Sequence, residues 1–486
     1  MSEPTRDQLA TENAALRAQN ASQAAEIERL IRKVAELEQL VNQSSKNSSM
    51  PPSSDSPKER AEATKTRADR RAAAKAARQD EVARRRGKQP GAAGKNLAVR
   101  ADPDEIVDHT PACCGSCGAD LADAAVEGVE RRQVNDTPRP VLICTEHRAI
   151  TKRCRCGAVT KGVFPREAIA PASYGPNVRA SALYLLFGQH LSVERTAEAM
   201  SAMLGADVST GFVAQLGVEA AGGLTGFITE IRRRLLRTGV ICVDETSDQV
   251  RTKKWWFHTV TSERYTYLFA SPTRGKAAPD EAGVLGQFGG VMMHDRLAMY
   301  FNYEKADHAI CGAHVLRELA AIAVRFDQGW ASDMAELLTE MNDAAHAARA
   351  AGRTRLSARK LGGFLARYDA IVECGLDANP APLGRERDYL ERRSFNLVSA
   401  LAKLKTEATR FAADLSVPMT NNAAERSLRM AKLHHKISNC FQSDDGARAF
   451  ATVRSYLATA RQHGVGGLDV LARLFGGQAW IPPRTT

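Results

Sequence analysis

Two aspartates each close a short apolar run: Val240-Ile241-Cys242-Val243 leads into Asp244, and Gly290-Val291-Met292-Met293-His294 leads into Asp295. Runs of this kind read as buried strands, and acids ending two neighbouring strands of one sheet stand close enough to share a metal ion. Glu245 follows Asp244 directly, but successive side chains on a strand face opposite ways, so it is not expected in the same site. A third acid would have to arrive on a helix packed beside those strands. The segment Thr420–Lys432 fits: Thr420, Asn421 or Asn422 can cap it, and Glu425, Arg429 and Lys432, at i, i+4 and i+7, share one face. Taken alone, an acid and two cations on one stripe describe an exposed, salt-bridged helix equally well.

The elements that must position these acids follow from the pattern around them. Trp255–Ser262 and Tyr265–Ala270 read as strands joined by the turn Ser262-Glu263-Arg264, Ala278–Phe288 as a helix, Gly290–Asp295 and Ala306–Cys311 as further strands, and a helix runs from about Ala313 to Phe326. Three antiparallel strands, a helix, a strand, then a strand and a helix is the order of an RNase H-like α/β core. Upstream, apolar spacing predicts helices over Ala180–His190, Val193–Leu204 and Gly211–Leu216, either a short-turn pair that enters a DNA groove or a packing layer. Downstream, 129 residues separate Asp295 from Glu425, and Trp330–Ala350, Leu356–Tyr368 and Arg385–Ala413 predict a helical insertion that accounts for them.

A different chemistry is written in the cysteines. Six of the ten lie between Cys113 and Cys156, too few and too clustered for a disulfide scaffold, and in a reducing compartment this points to metal. Cys114-x-x-Cys117 and Cys154-x-Cys156 deliver four thiolates as two tight pairs, which suits a closed, structural zinc site. Cys113, Cys144, His109 and His147 remain alternative ligands or bystanders. Cys311 and His314 form a Cys-x-x-His that would bind metal only with two more ligands from elsewhere; packing or orientation is the simpler reading.

The N-terminal part of the chain has another character. Leu9, Leu16, Leu30 and Leu37 occupy heptad d positions with Asn13, Asn20, Ile27, Val34 and Val41 at a, predicting a dimerising coiled coil. A Ser/Asn/Pro run over 44–55 ends it, and from Lys58 to Lys95 there are 13 Lys/Arg against 5 Asp/Glu, a local charge of +8 out of +11 for the chain. Such a concentration, with Arg84, Arg85, Arg86 and Lys88 at its densest point, is the footprint of a polyanion, most economically the DNA backbone. No apolar stretch approaches the ~20 residues of a bilayer span, and nothing at the N-terminus reads as a signal peptide, so a cytoplasmic protein is expected. At 486 residues the chain holds several units: 7–44 coiled coil, 45–100 linker and basic segment, 101–168 cysteine-rich domain, 169–236 helical DNA-binding region, 237–327 first part of the core, 328–415 insertion, 416–440 the helix of Glu425, and 441–486 a helical tail.

Together, Val243-Asp244-Glu245-Thr246, Trp255-Trp256-Phe257, Ser271-Pro272-Thr273-Arg274-Gly275, His294-Asp295-Arg296, Cys311-Gly312-Ala313-His314-Val315-Leu316-Arg317 and Asn421-Asn422-Ala423-Ala424-Glu425-Arg426 make the chain resemble transposases of the insertion sequence 66 family. The resemblance extends in order from the N-terminal heptads to the tail, and its most specific motif is Asn-Asn-Ala-Ala-Glu-Arg. It implies a DDE transposase whose acids are Asp244, Asp295 and Glu425, with double-stranded DNA as partner, at least a dimer, and small accessory proteins of the same element. Two departures stand out: Gly312 replaces the family's usual Trp, and the second cysteine pair is shortened to Cys-x-Cys.

The chemistry such a resemblance implies suits three carboxylates. Cutting and joining phosphodiesters requires an activated nucleophile and a neutralised leaving oxygen, and two divalent ions about 3.5–4 Å apart serve both ends. Magnesium, or manganese in its place, is oxygen-seeking and keeps positions for water and phosphate. Arg426, Arg429, Lys432 and Lys436 are the candidates for gripping DNA beside the cut. A DNA-binding regulator derived from a transposase, and a nuclease of the same core without strand transfer, are the competing readings.

Overall fold

The computed structural model describes residues 99–483 apart from 139, 166, 167, 169, 327 and 382–388, together with Gln19, Asn20, Gln23 and Ile27, which are helical and exposed. The rest of the predicted coiled coil, and the basic segment with Arg84, Arg85, Arg86 and Lys88, lie outside the described residues. The chain divides into a small unit, Ala61–Val141, and a large one made of Met1–Arg60 and Leu142–Thr486.

In the small unit, Cys114 and Cys117 sit on a turn closed by the Gly118 amide donating to the Cys114 carbonyl (2.9 Å) and the Cys114 amide to that of Ala119 (2.8 Å). In the large unit, β1 (Thr151–Arg153) and β2 (Val159–Lys161) form a hairpin whose tip repeats this construction: the Gly157 amide donates to Cys154 (2.9 Å), and the Cys154 amide to Ala158 (2.8 Å). Gly118 and Gly157 both take the left-handed conformation these turns require, with φ of 75° and 88°. Amides of Cys117 and Ser116 face the Cys114 sulfur, and the amide of Cys156 faces that of Cys154, holding both thiols below their ordinary pKa.

Four helices follow: α1 (Pro176–Leu183, continued as a π turn through Gly188), α2 (Val193–Leu204), α3 (Thr210–Gly223) and α4 (Thr225–Leu235). Ser192 and Ser209 cap α2 and α3 through their side chains. These helices bury Leu183, Met200, Val213, Leu216, Phe227 and Ile231 in one core. No single helix among the described residues is long and apolar enough to cross a membrane.

The main sheet comprises β3 (Val240–Val250), β4 (Lys253–Thr261), β5 (Thr266–Ser271), β6 (Val291–His294) and β7 (Asp307–Ile310), in the order β5-β4-β3-β6-β7. β3 to β5 are antiparallel; β3, β6 and β7 are parallel. The central strand runs six residues beyond Asp244, through polar Glu245–Gln249, because each of these positions pairs with β4 as far as Val250 opposite Lys253. Between β5 and β6, the single helix expected over Ala278–Phe288 is instead α5 (Ala277–Ala282) and a 3₁₀ turn at Leu285–Gln287. Gly283, with φ of 70°, ends α5 in the usual left-handed manner.

After β7 come α6 (Gly312–Phe326), α7 (Gly329–Ala350), α8 (Ala358–Ala378), α9 (Tyr389–Lys403), α10 (Lys405–Ala413), α11 (Asn422–Ser438), α12 (Asp444–Gln462) and α13 (Gly467–Phe475). The insertion is thus helical, but its second helix reaches Ala378 rather than Tyr368, and the predicted third helix breaks at Leu404.

Strand alternation divides the interior. Ile241, Val243 and Met292 face the core built with α1–α4, α12 and α13; Cys242, Val291 and Met293 face a second core built with β7, α6 and the insertion. Helix α11 bridges the two, with Ala424 in the second core and Leu428 and Ala431 in the first.

Candidate active site

The positions of the two aspartates follow from the register of the parallel pair. Cys242 lies opposite Met293, so two residues further Asp244 and Asp295 emerge side by side at the carboxyl ends of neighbouring strands, the edge where sites form in open α/β sheets. Asp295 is fixed just past β6 by a tight turn. Its Oδ1 accepts the Leu297 amide at 3.0 Å, and Arg296 between them has φ of 73°, a strained conformation for a non-glycine residue. Arg296 is itself held by Glu318 at 2.6 Å.

Glu425 is brought to this edge by Asn421. That side chain was expected among the candidate caps of α11, and Asn421 is the first residue of the cap, but its amide group caps nothing. Fully buried, it donates from Nδ2 to the Val243 carbonyl at 2.8 Å, while its backbone amide points at the Cys311 sulfur at 3.2 Å. The start of α11 is therefore tied to the residue preceding Asp244, and Glu425 stands one turn further on, its amide bonded to the Asn421 carbonyl at 3.1 Å. The helix is strapped to β3 along its length. Lys432 donates to the Ser247 carbonyl, His435 Nδ1 lies 2.9 Å from Asp248 Oδ1, and Phe441 bonds both Gln249 and Arg251.

The electrostatics reflect this crowding. Burial, then the charge of Asp295, then that of Glu245, with a smaller push from Glu425, raises Asp244 to about 8, against the opposing hydrogen bond from the Glu245 amide. Glu425 has Arg317 at 3.6 Å as its ion-pair partner, yet its Oε1 is buried without a hydrogen bond. Glu245, on the other face as alternation requires, accepts from Tyr300 Oη at 2.5 Å and from Arg274 at 2.8 Å and 3.0 Å. Its side chain is only 1% exposed, and burial raises its pKa despite both donors.

The cations proposed from sequence, Arg426, Arg429, Lys432 and Lys436, are all exposed on α11, but the Lys432 ammonium also donates to the Ser247 carbonyl and its pKa is lowered, chiefly by desolvation. The Cys-x-x-His acquires a neighbour that spacing did not reveal: ligand atoms of Cys311, His314 and Glu425 all lie within 4.8 Å of one another. Burial raises the Cys311 thiol and lowers the His314 imidazole, the latter helped by Arg317. Sequence reasoning also missed Tyr300 and the strap role of Asn421. The Asn-Asn doublet was visible, but nothing in it distinguishes a cap from a strap.

Comparison with known proteins places this geometry in a family. Residues 171–449, which contain all three acids, match the transposase domain of the IS66 family, and residues 1–98 match a family of unknown function, DUF6444. The chain belongs to the IS66 family of transposases. Two similar proteins come from Sinorhizobium fredii (strain NBRC 101917 / NGR234). One, described as uncharacterized protein y4hP, is 23% identical over 76% of this chain and 72% of its own length. The other, uncharacterized protein y4qI, is 24% identical over 46% of this chain and 43% of its own.

Proposed function

We propose that the chain is a DDE-type DNA transposase that cleaves the ends of its insertion element and joins the freed 3′-hydroxyls to target DNA, with Asp244, Asp295 and Glu425 as its catalytic acids on an RNase H-like core. The observation that carries this reading is the strap from Asn421 to Val243, which ties the start of the helix that bears Glu425 to the strand residue just before Asp244, while Asp295 follows the neighbouring parallel strand.

A divalent cation at the three carboxylates is supported by an oxygen of Glu425 that is buried without a partner and by Asp244, which ionises against its acidic neighbours, a cost that a cation removes; the three are not a ready ligand cluster, the group within 4.8 Å among the described residues being Cys311, His314 and Glu425. Magnesium or manganese held by Asp244, Asp295 and Glu425 would supply neutralisation of the leaving oxygen and a more acidic water. The chain's own part is to fix those oxygens, through the Asp295 turn and the α11 straps, and to hold DNA on the exposed Arg426, Arg429 and Lys436. Arg84, Arg85, Arg86 and Lys88 add sequence-independent attraction to DNA. The cysteine pairs, Cys114 with Cys117 and Cys154 with Cys156, each offer two thiolates to structural zinc. The heptads of 7–44 dimerise the chain.

Labelled element-end DNA incubated with the purified protein and magnesium tests this reading, with Glu425→Gln as the control. Joined products that vanish in Glu425→Gln support it. Cleavage without joining would make the chain a nuclease, and binding without cleavage a regulator.

A further inference from the structure

A buried cysteine meets a half-buried histidine and glutamate where the proposed reaction needs only the glutamate. Cys311 directly follows β7 and is 1% exposed; His314 lies in the first turn of α6; Glu425 is in the first turn of α11. Their ligand atoms lie within 4.8 Å of one another. His314 Nδ1 and Glu425 Oε1 are both buried without a hydrogen-bond partner, although Arg317 stands 3.6 Å from the latter, an expensive arrangement unless something satisfies them. The sulfur accepts the Asn421 amide at 3.2 Å, the kind of outer contact that steadies a thiolate ligand.

We propose that Cys311, His314 and Glu425 form a binding site for a thiophilic divalent cation of the zinc class. Sulfur, nitrogen and oxygen donors are the mixture zinc accepts, whereas magnesium takes oxygen and rejects a thiolate. In a tetrahedral zinc site neighbouring ligand atoms stand about 3.5 Å apart, a spacing that atoms already within 4.8 Å of one another reach by side-chain adjustment alone. The Cys311 thiol releases its proton to solvent as the sulfur–metal bond forms. Three protein ligands leave the fourth position open to water or to a phosphate oxygen. That Glu425 would be shared with a catalytic magnesium site rests on the proposed function; the binding does not.

The test uses the full chain, stripped of metal by a chelator and titrated with cobalt(II), whose sulfur-to-metal absorption reports thiolate ligation. Because the other cysteine pairs would also take up cobalt if they hold metal as proposed, the measurement is the difference between wild type and Cys311→Ser, whose hydroxyl can still accept the Asn421 amide. His314→Ala serves as the second variant. Each is expected to bind about one cobalt fewer per chain and to lose the matching absorption. The zinc affinity of this site should fall by more than the ~10–100-fold typical of outer contacts, and zinc, but not millimolar magnesium, should displace the cobalt. Equal cobalt stoichiometry and identical spectra in wild type and both variants would overturn the proposal, as would displacement by magnesium. The readout is bound metal, so it is independent of whether the chain cuts DNA.

Discussion

Asn421→Ala isolates the strap that positions Glu425. The substitution removes the 2.8 Å bond to the Val243 carbonyl and leaves that acceptor beside a small void in a fully buried place. A lost hydrogen bond with its partner stranded costs ~1–3 kcal/mol. That is a fraction of the ~5–15 kcal/mol that holds a typical domain together, so the variant should fold. Its helix start loses its tie to β3 while keeping the backbone contact to Cys311 and can drift, and misplacement of a reacting group by ~1 Å costs ~100-fold in rate. The expected result is a urea midpoint lowered by an amount equivalent to ~1–3 kcal/mol and a kcat for end cleavage reduced ~10–100-fold, with KM for DNA nearly unchanged because the exposed arginines of α11 are untouched. Asn421→Asp, unable to donate when ionised and adding negative charge beside the acids, should lose more activity than alanine. If Asn421→Ala folds with wild-type kcat, or if KM alone changes, the strap does not place Glu425.

Asp244 gives a pH signature. Its carboxyl is held near 8 in the folded chain, far above the unfolded value, so the metal-free protein has the full contribution of the protonated form below about pH 4 and loses it as pH rises towards 8. Urea unfolding between pH 5 and 8 should show wild type weakening relative to Asp244→Asn, with magnesium narrowing the gap at pH 8. Gly312→Ala places a methyl 2.8–3.1 Å from the Met419 side chain and carbonyl and should cost ~1–3 kcal/mol by overpacking, read as a lowered Tm. Arg426→Ala and Arg429→Ala should each weaken DNA binding across sequences and reduce the slope of log affinity against log salt by about 1, as measured by fluorescence anisotropy.

The parts of this molecule that could be read from sequence are those that local physics fixes. Apolar runs ending in Asp244 and Asp295 became strands because they are buried on both faces, and alternation alone put Glu245 on the far side. Boundaries went wrong where a neighbour overrode the local signal: β3 continues through polar residues because β4 pairs with them, and Gly283 cuts a helix that its composition would have allowed to run on. The site's finer content was illegible because it joins residues far apart in the chain. Asn421 reads as a cap from its own surroundings, and only the fold reveals that Val243, 178 positions earlier, claims its side chain. Likewise Cys311 and His314 looked two ligands short, since nothing in their spacing announces the arrival of Glu425.

The strap between Asn421 and Val243 also sets a condition on biosynthesis. Contacts so distant in sequence form late, after the intervening loop has been closed, and the ribosome delivers the helix of Glu425 only when most of the chain has already emerged. Any premature stop within the insertion yields a protein with both strand-end aspartates but no third acid. If the three acids act together as proposed, a fragment that stops there holds only two of them and would lack the proposed cutting activity.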